Sequence, residues 1–192
     1  SQLVADFLEV APGMKVVDVC AGAGGKTLHL SALMQNKGSL IAMDIYESKL
    51  KKLKVRAKRN GAHNIDLRLI NSTKPIKKLK EKADRLLVDA PCSGLGVLRR
   101  NPDSKWKLKP EFLDNLKATQ QNILHDYSKM LKPGGKMVYA TCSVLPSENQ
   151  EQINKFIATK EGRQFKLIKE KKIFAHKSGY DGFYMALLEK PI

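Results

Sequence analysis

Leu86-Leu87-Val88-Asp89-Ala90-Pro91-Cys92-Ser93-Gly94 and Met137-Val138-Tyr139-Ala140-Thr141-Cys142-Ser143 each carry a short apolar run into a cysteine. Uniformly apolar, β-prone runs of this length are how buried parallel strands read. In an open α/β sheet, ligands bind beyond the carboxyl ends of the strands. Two thiols are therefore expected at one crevice. A disulfide between them is the bland alternative, but it belongs to oxidising compartments, and nothing in the sequence suggests one.

Outward from these two runs the periodicity alternates. Strands are predicted near 15–20, 39–44, 66–70, 84–89, 135–141, 165–169 and 183–189. Helices are predicted near 1–9, 25–36, 47–60, 111–131 and 146–159. Lys132-Pro133-Gly134-Gly135 reads as a turn between a helix and a strand, since proline stops a helix and glycine supplies unusual backbone angles. The stretch Arg99 to Pro110 lacks periodicity and reads as a long loop after Cys92. Strand–helix alternation predicts one doubly wound α/β domain with a mostly parallel, seven-stranded sheet.

The chain has 192 residues, 42% of them hydrophobic, which suffices for one core and one domain. No apolar stretch approaches a membrane span, and no signal peptide is expected. Three cysteines without a CxxC pair argue against a zinc site and a disulfide framework. A reducing cytoplasm, no metal, no membrane attachment and a monomer are expected. The chain starts at Ser1 and already looks helical over 2–8, so it is expected to be a piece of a longer protein.

Net charge is +16. Such an excess favours a polyanionic partner through counterion release. Lysines crowd Lys49 to Arg59, Lys74 to Lys82 and Lys166 to Lys172. Each run alone reads as a solvated face; in the first, Leu50, Leu53 and Ala57 recur at helical spacing. Nucleic acid is the expected partner, with an acidic membrane surface the weaker option.

After the first strand comes Asp18-Val19-Cys20-Ala21-Gly22-Ala23-Gly24-Gly25-Lys26-Thr27. Glycines let the backbone approach a ligand and leave room for a following helix. Asp44 ends the second strand, where an acid can accept hydrogen bonds from both hydroxyls of an adenosine ribose. Together they predict a nucleoside-containing cofactor. The nicotinamide fingerprint GxGxxG fails at Thr27, and a P-loop would need glycine where Cys20 stands. S-adenosylmethionine fits better, because a class I methyltransferase needs a glycine turn and the ribose acid without a pyrophosphate cradle.

Two thiols and an acid suit one reaction. Carbon 5 of cytosine is a poor nucleophile. A thiolate added at carbon 6 makes the ring an enamine, whose carbon 5 can attack a methyl sulfonium. A free thiol has a pKa of roughly 8.5, so its surroundings must favour the thiolate. An acid near ring nitrogen 3 would stabilise the adduct, and Asp89 is placed for that; a turn cap is its other reading. A second thiol can help remove the carbon 5 proton. Chemistry alone does not say which thiol attacks.

Asp89-Ala90-Pro91-Cys92-Ser93, Thr141-Cys142-Ser143 and the glycine turn resemble the RNA cytosine-5 methyltransferases of the Fmu/Sun (RsmB-like) type. Arg99-Arg100-Asn101-Pro102-Asp103-Ser104-Lys105-Trp106, Pro146-Ser147-Glu148-Asn149 and Asp181-Gly182-Phe183-Tyr184 extend the resemblance over nearly the whole chain. The resemblance implies a Rossmann-like class I fold, S-adenosylmethionine and an RNA substrate, ribosomal in the bacterial enzymes. It assigns Cys142 as nucleophile and Cys92 to product release, whereas DNA cytosine methyltransferases attack with their Pro-Cys thiol. It places Cys20, Ala21, Gly22, Ala23, Gly24, Gly25, Lys26, Asp44 and Asp89 at the cofactor, with Lys26 and Asp89 also near the target base. A further RNA-binding part N-terminal to the domain is implied too.

Two positions depart from the family. Ala23 stands where proline is usual. Asn71 stands where Asp is usual; its amide oxygen could still meet the adenine amino group, or it is a turn residue. Arg99 and Arg100 are expected at phosphate, and Lys105 flanks Trp106, which either stacks on a base or packs. His29, His63, His125 and His176 show no ligand spacing. Rival functions are a transfer RNA methyltransferase, an RNA-binding or assembly module with a methyltransferase fold, and, remotely, an ATP-binding P-loop protein.

Overall fold

The structure is a computed structural model and describes residues 2–192, the Lys107 side chain excepted. The elements run α1 (Leu3–Phe7), β1 (Lys15–Val19), α2 (Gly25–Leu33), β2 (Ser39–Asp44), α3 (Glu47–Arg59), β3 (Ile65–Leu69), α4 (Lys74–Lys78) and β4 (Ala83–Asp89). Then come α5 (Ser104–Lys107), α6 (Pro110–Tyr127), β5 (Leu131–Thr141), α7 (Gln150–Ala158), β6 (Lys166–Ile173), α8 (Ala175–Ser178) and β7 (Phe183–Glu189). The seven strands form one sheet in the order β3-β2-β1-β4-β5-β7-β6. β1 to β5 pair in parallel, and β7 runs antiparallel between β5 and β6. The doubly wound, mostly parallel sheet read from the sequence is the architecture found.

Both sheet faces are covered. Val4 and Leu30, from α1 and α2, and Leu8 and Met34, which end those helices, pack with Val16, Leu40 and Leu87 on one face. Leu50 and Leu53 of α3 extend that layer over Ala42. Leu124, Tyr127, Ile153 and Phe156, from α6 and α7, pack with Val17, Met43 and Val88 on the other. Burial on both sides is why these strands show no polar alternation. Strand order reverses between β1 and β4, so a crevice opens at their carboxyl ends. Val19 and Asp89 end those two strands.

Three boundaries differ from the sequence reading. The Lys132–Gly135 turn lies inside β5 as a bulge: β4 pairs Ala83 with Leu131 and Arg85 with Lys136, and Gly134 takes φ +74°. A bulge leaves extra residues unpaired without ending the strand. β6 continues through Lys169–Lys172, because an edge strand exposes its side chains and lysines there discourage further pairing. The stretch 99–110 holds the short helix α5 and ends on Pro110, the first residue of α6. The first helix is predicted from residue 1, which lies outside the described residues. No helix among the described residues is long and apolar enough to cross a membrane.

Candidate active site

The loop after β1 turns through Cys20 (φ +64°), Gly22 (φ +58°) and Gly24 (φ +87°) before α2 begins at Gly25. A Cβ on Gly24 would lie 1.9 Å from Leu53 Cδ1, so this glycine lets α2 pack beside α3. A Cβ on Gly25 would meet nothing within 4 Å, because that position faces a cavity of about 240 Å³. Asp18, Cys20, Ala21, Gly22, Ala23, Lys26 and Asp89 also line it.

Asp44 braces this turn. Its Oδ2 accepts from Gly22 N at 2.8 Å and its Oδ1 from Tyr46 N at 2.9 Å. A neighbouring cavity of about 470 Å³ runs from Asp44, Ile45 and Tyr46 past Ile70 to Pro91, Cys92 and Cys142. Asp18 is fully buried on the wall of the turn. Thr27 Oγ1 donates to its Oδ2 at 2.6 Å, and its Oδ1 has no partner. Burial raises the Asp18 carboxyl from its ordinary value of 3.8 to about 7.

At the far end, Cys92 Sγ and Cys142 Sγ lie 3.2 Å apart as free thiols. The hydrogen bond from Cys92 lowers the pKa of the Cys142 thiol, and nearby Lys26 acts the same way. Cys92 is pushed up because its proton is held by Cys142 and because it is buried. The two thiols are coupled, so a thiolate on Cys142 would be held by the hydrogen bond from Cys92. Lys26 Nζ donates to Asp89 Oδ2 at 2.6 Å and lies 5.5 Å from the centroid of the Phe183 ring. On the other side of Cys142, a third cavity of about 590 Å³ is lined by Lys26, Val97, Arg100, Tyr180, Asp181 and Phe183 among others. Cys142 thus stands between two open spaces, and Cys92 faces one of them.

The loop after Cys92 is tied to Cys142 through backbone. Gly96 N donates to Cys142 O at 2.8 Å, and Gly182 N to Gly96 O at 2.7 Å. A Cβ on Gly96 would lie 2.1 Å from Gly182 O, so the three segments meet only because no side chain intervenes.

The structure brings together Cys20 to Gly22, Ala23, Gly25, Lys26, Asp44, Asp89, Cys92 and Cys142. It leaves Asn71 apart: Asn71 is exposed and lines a separate depression with Arg68, Lys74 and Lys78. Ile70, held to Asp44 O through its own N–H, faces the cavity instead. Arg100 pairs with Asp181 at 2.5 Å on the rim of the third cavity. Arg99 Nη1 donates to Gly179 O at 2.8 Å. Trp106 is 80% exposed, so it is not a packing residue, and Lys105 Nζ lies 4.8 Å from its ring centroid. Reasoning from sequence missed Phe183, Tyr180 and Ile70 as lining residues. It also missed the polar set behind the thiols: Ser93, Ser143, Gln120 and Glu148. The signals were that each cysteine is followed by serine and that Glu148 and Phe183 lie in motifs shared with the family, to which the sequence reading gave no site role.

The family model described as 16S rRNA methyltransferase RsmB/F matches residues 5–189. The chain is 36% identical over 206 residues to the probable ribosomal RNA small subunit methyltransferase B of Bacillus subtilis, covering 99% of this chain and 46% of that protein. It is 41% identical over 165 residues to the mouse tRNA (cytosine(72)-C(5))-methyltransferase NSUN6, covering 80% of this chain and 34% of that one. The crystal structure of NSun6 from Pyrococcus horikoshii with SFG superposes with a TM-score of 0.87 at 29% identity, covering 98% of this chain and 51% of that one. The chain therefore spans less than half the length of the curated relatives it matches.

Proposed function

Because the chain belongs to the 16S rRNA methyltransferase RsmB/F family, we propose that it methylates carbon 5 of a cytosine in RNA, using S-adenosylmethionine, through a covalent bond to Cys142. One observation carries the reading: two free thiols 3.2 Å apart, beside an acid–lysine pair, with Cys142 lining both the cavity beside the glycine turn and the open one. The family's description supports a ribosomal RNA substrate. A transfer RNA substrate is the second reading, favoured by the 41% identity to the mouse protein.

S-adenosylmethionine supplies an electrophilic methyl group when bound. The residues present fit it. Asp44 keeps a free lone pair on each oxygen for the ribose, Ile45, Tyr46 and Ile70 offer apolar surface, and the unpartnered Asp18 Oδ1 sits at the turn. The target base enters from the third cavity, against Phe183. The Cys142 sulfur adds to carbon 6. Negative charge then collects toward ring nitrogen 3, where Asp89 and Lys26 present a proton. After carbon 5 has been methylated, its proton must leave. Once the Cys142 sulfur is bonded to carbon, Cys92 no longer donates to an anion; it gives up its own proton to solvent through the open cavity and, as a thiolate, takes the carbon 5 proton. The carbon 6–sulfur bond then breaks, and its electron pair returns to Cys142.

Two variants test the assignment on a denaturing gel. Cys142→Ala eliminates covalent capture of RNA containing 5-fluorocytosine, where fluorine blocks release. Cys92→Ala accumulates adduct with ordinary RNA, because attack proceeds and release does not. Undiminished capture by Cys142→Ala would overturn the reading. Sequencing the RNA captured from cells separates ribosomal from transfer RNA.

A further inference from the structure

Behind the two thiols lies a polar cluster that the reaction above does not use. Glu148 ends a 3-10 turn (Pro146–Glu148) just before α7, and it is fully buried. Its Oε2 accepts from Ser93 Oγ at 2.5 Å and from Ser143 Oγ at 2.5 Å. Its Oε1 accepts from Ser93 N at 2.8 Å and from Gln120 Nε2 at 3.1 Å. Gln120 Nε2 also donates to Pro91 O at 2.9 Å. Ser93 directly follows Cys92, and Ser143 directly follows Cys142. One carboxylate therefore grips the residue after each thiol.

The grip is complete. A carboxylate offers about four lone-pair sites, and four donors fill them, all of them neutral. An unpaired buried charge is costly, and an apolar residue would fill the space without that cost. What the carboxylate adds is direction: it sets two loops 50 residues apart in sequence to one spacing. Asn149 closes the other side of Cys142. Its Oδ1 accepts from Thr141 Oγ1 at 2.5 Å, and its Nδ2 donates to Ser143 O at 3.1 Å.

We propose that Glu148 is a positioning residue: through Ser93 and Ser143 it fixes the loops so that Cys92 Sγ and Cys142 Sγ stay within hydrogen-bonding distance. The proposal rests on the roles assigned above to the two cysteines. Without the clamp the loops separate, Cys92 ceases to donate to Cys142, and Cys142 becomes a weaker nucleophile at neutral pH. The other groups facing Cys142 are Asp89 at the end of β4 and Lys26 on α2, with Arg100 and Asp181 across the third cavity. The substitutions below leave all four in place.

The test is the pH profile of iodoacetamide alkylation at Cys142, read by peptide mass spectrometry on the folded chain. The Ser93→Ala/Ser143→Ala double variant removes both hydroxyl grips while leaving a small, packable site. It should melt cooperatively and still bind S-adenosylmethionine. Its Cys142 profile should move up by about one pH unit, with about tenfold slower alkylation at pH 7. Glu148→Gln, isosteric but able to accept fewer of the four bonds, should fall between. If the double variant does not fold, Glu148→Gln and the single serine variants carry the same test. In a Cys92→Ala background, where the shift has already occurred, the serine substitutions should add nothing. An unchanged profile in folded serine and Glu148→Gln variants overturns the proposal. So does a shift that persists without Cys92, which would mean general loosening. Capture on 5-fluorocytosine RNA is read separately. Capture that survives Cys142→Ala would sink the nucleophile assignment while the alkylation profile still reported on the clamp.

Discussion

Asp18 is a carboxyl kept in apolar surroundings with one oxygen unpartnered, and the sign of its pH effect follows from burial. Its folded pKa, about 7, lies above its ordinary 3.8, so the folded state holds the proton more tightly. Below 3.8 both states are protonated and there is no penalty. As pH rises toward 7 the unfolded state ionises first, and stability falls by up to about 4 kcal/mol before levelling off. Asp18→Asn should remove that slope: melts of variant and parent should converge near pH 4 and separate by pH 8, the variant higher. Parallel melting curves across that range would show that Asp18 ionises freely when folded. Asp44 acts differently, because its two oxygens already hold Gly22 N and Tyr46 N. Asp44→Ala should weaken S-adenosylmethionine binding about ten- to hundredfold by calorimetry, through roughly 1.5–3 kcal/mol of lost bonds to a charged acceptor. It should also lower the melting temperature without ligand, since the turn loses its brace.

At the scale of elements, two glycines decide how the site is assembled. Gly24 caps α2 in the left-handed region, and its missing side chain makes room for Leu53 of α3. Gly24→Ala meets both backbone strain and overpacking, and should cost at least about 2 kcal/mol in a denaturant melt. Gly96 is where the loop after β4 touches both Cys142 O and Gly182 O. A Cβ there would press on backbone, which cannot rotate away as a side chain can. Gly96→Ala should therefore lower the melt and also slow alkylation or capture at Cys142 by tenfold or more in the protein that remains folded. A Gly96→Ala chain with parental capture rate would show that this seam has no bearing on the thiols. β6 illustrates the opposite case, an element without apolar alternation to announce it, although Lys169 and Glu170 bond to Glu9 and Tyr184. Residues Lys169–Lys172 are exposed on the edge, and pairing with β7 alone keeps them extended.

Across the whole molecule, Glu9 ties three distant parts of the chain. Lys136 on β5 donates to it at 2.6 Å and Lys169 on β6 at 2.7 Å, and these bonds lower its carboxyl from 4.5 to about 2. The sign is opposite to that of Asp18. The stabilisation is present above pH 4.5 and is lost as pH falls toward about 2. Because the Glu9 side chain is 37% exposed, salt should screen the pair and shrink the effect. Glu9→Gln should thus flatten the acid limb of the stability curve at low salt and change it little at high salt. An unaltered acid limb at low salt would mean the two lysines find other partners. The order of the sheet has the larger consequence. Because β1 and β4 are neighbours and each ends at the same edge, the cofactor turn and the Asp-Ala-Pro-Cys loop face one crevice. β5, beside β4, brings the second cysteine to it.

The amino-acid sequence by itself determined the strands that carry the chemistry and the type of chemistry. β1, β2, β4 and β5 are buried on both faces, so their apolar runs stand out, and the residues that follow them are small, acidic or sulfur-bearing. Local composition was enough to expect two thiols, an acid and a glycine turn at one sheet edge. Tertiary structure alone decided what those groups touch. The bond from Ser93 to Glu148 spans 55 residues, and no local pattern in either segment encodes its partner. The antiparallel insertion of β7 between β5 and β6 is likewise a matter of pairing, not of strand propensity. Asn71 follows Leu69, the last residue of β3, by two positions, too close for composition to say whether it or Ile70 would turn toward the cavity; the bond from Ile70 N to Asp44 O settles which. The relative acidity of the two thiols depends on a 3.2 Å contact and on Lys26 beside it, and such distances exist only once the sheet has been assembled.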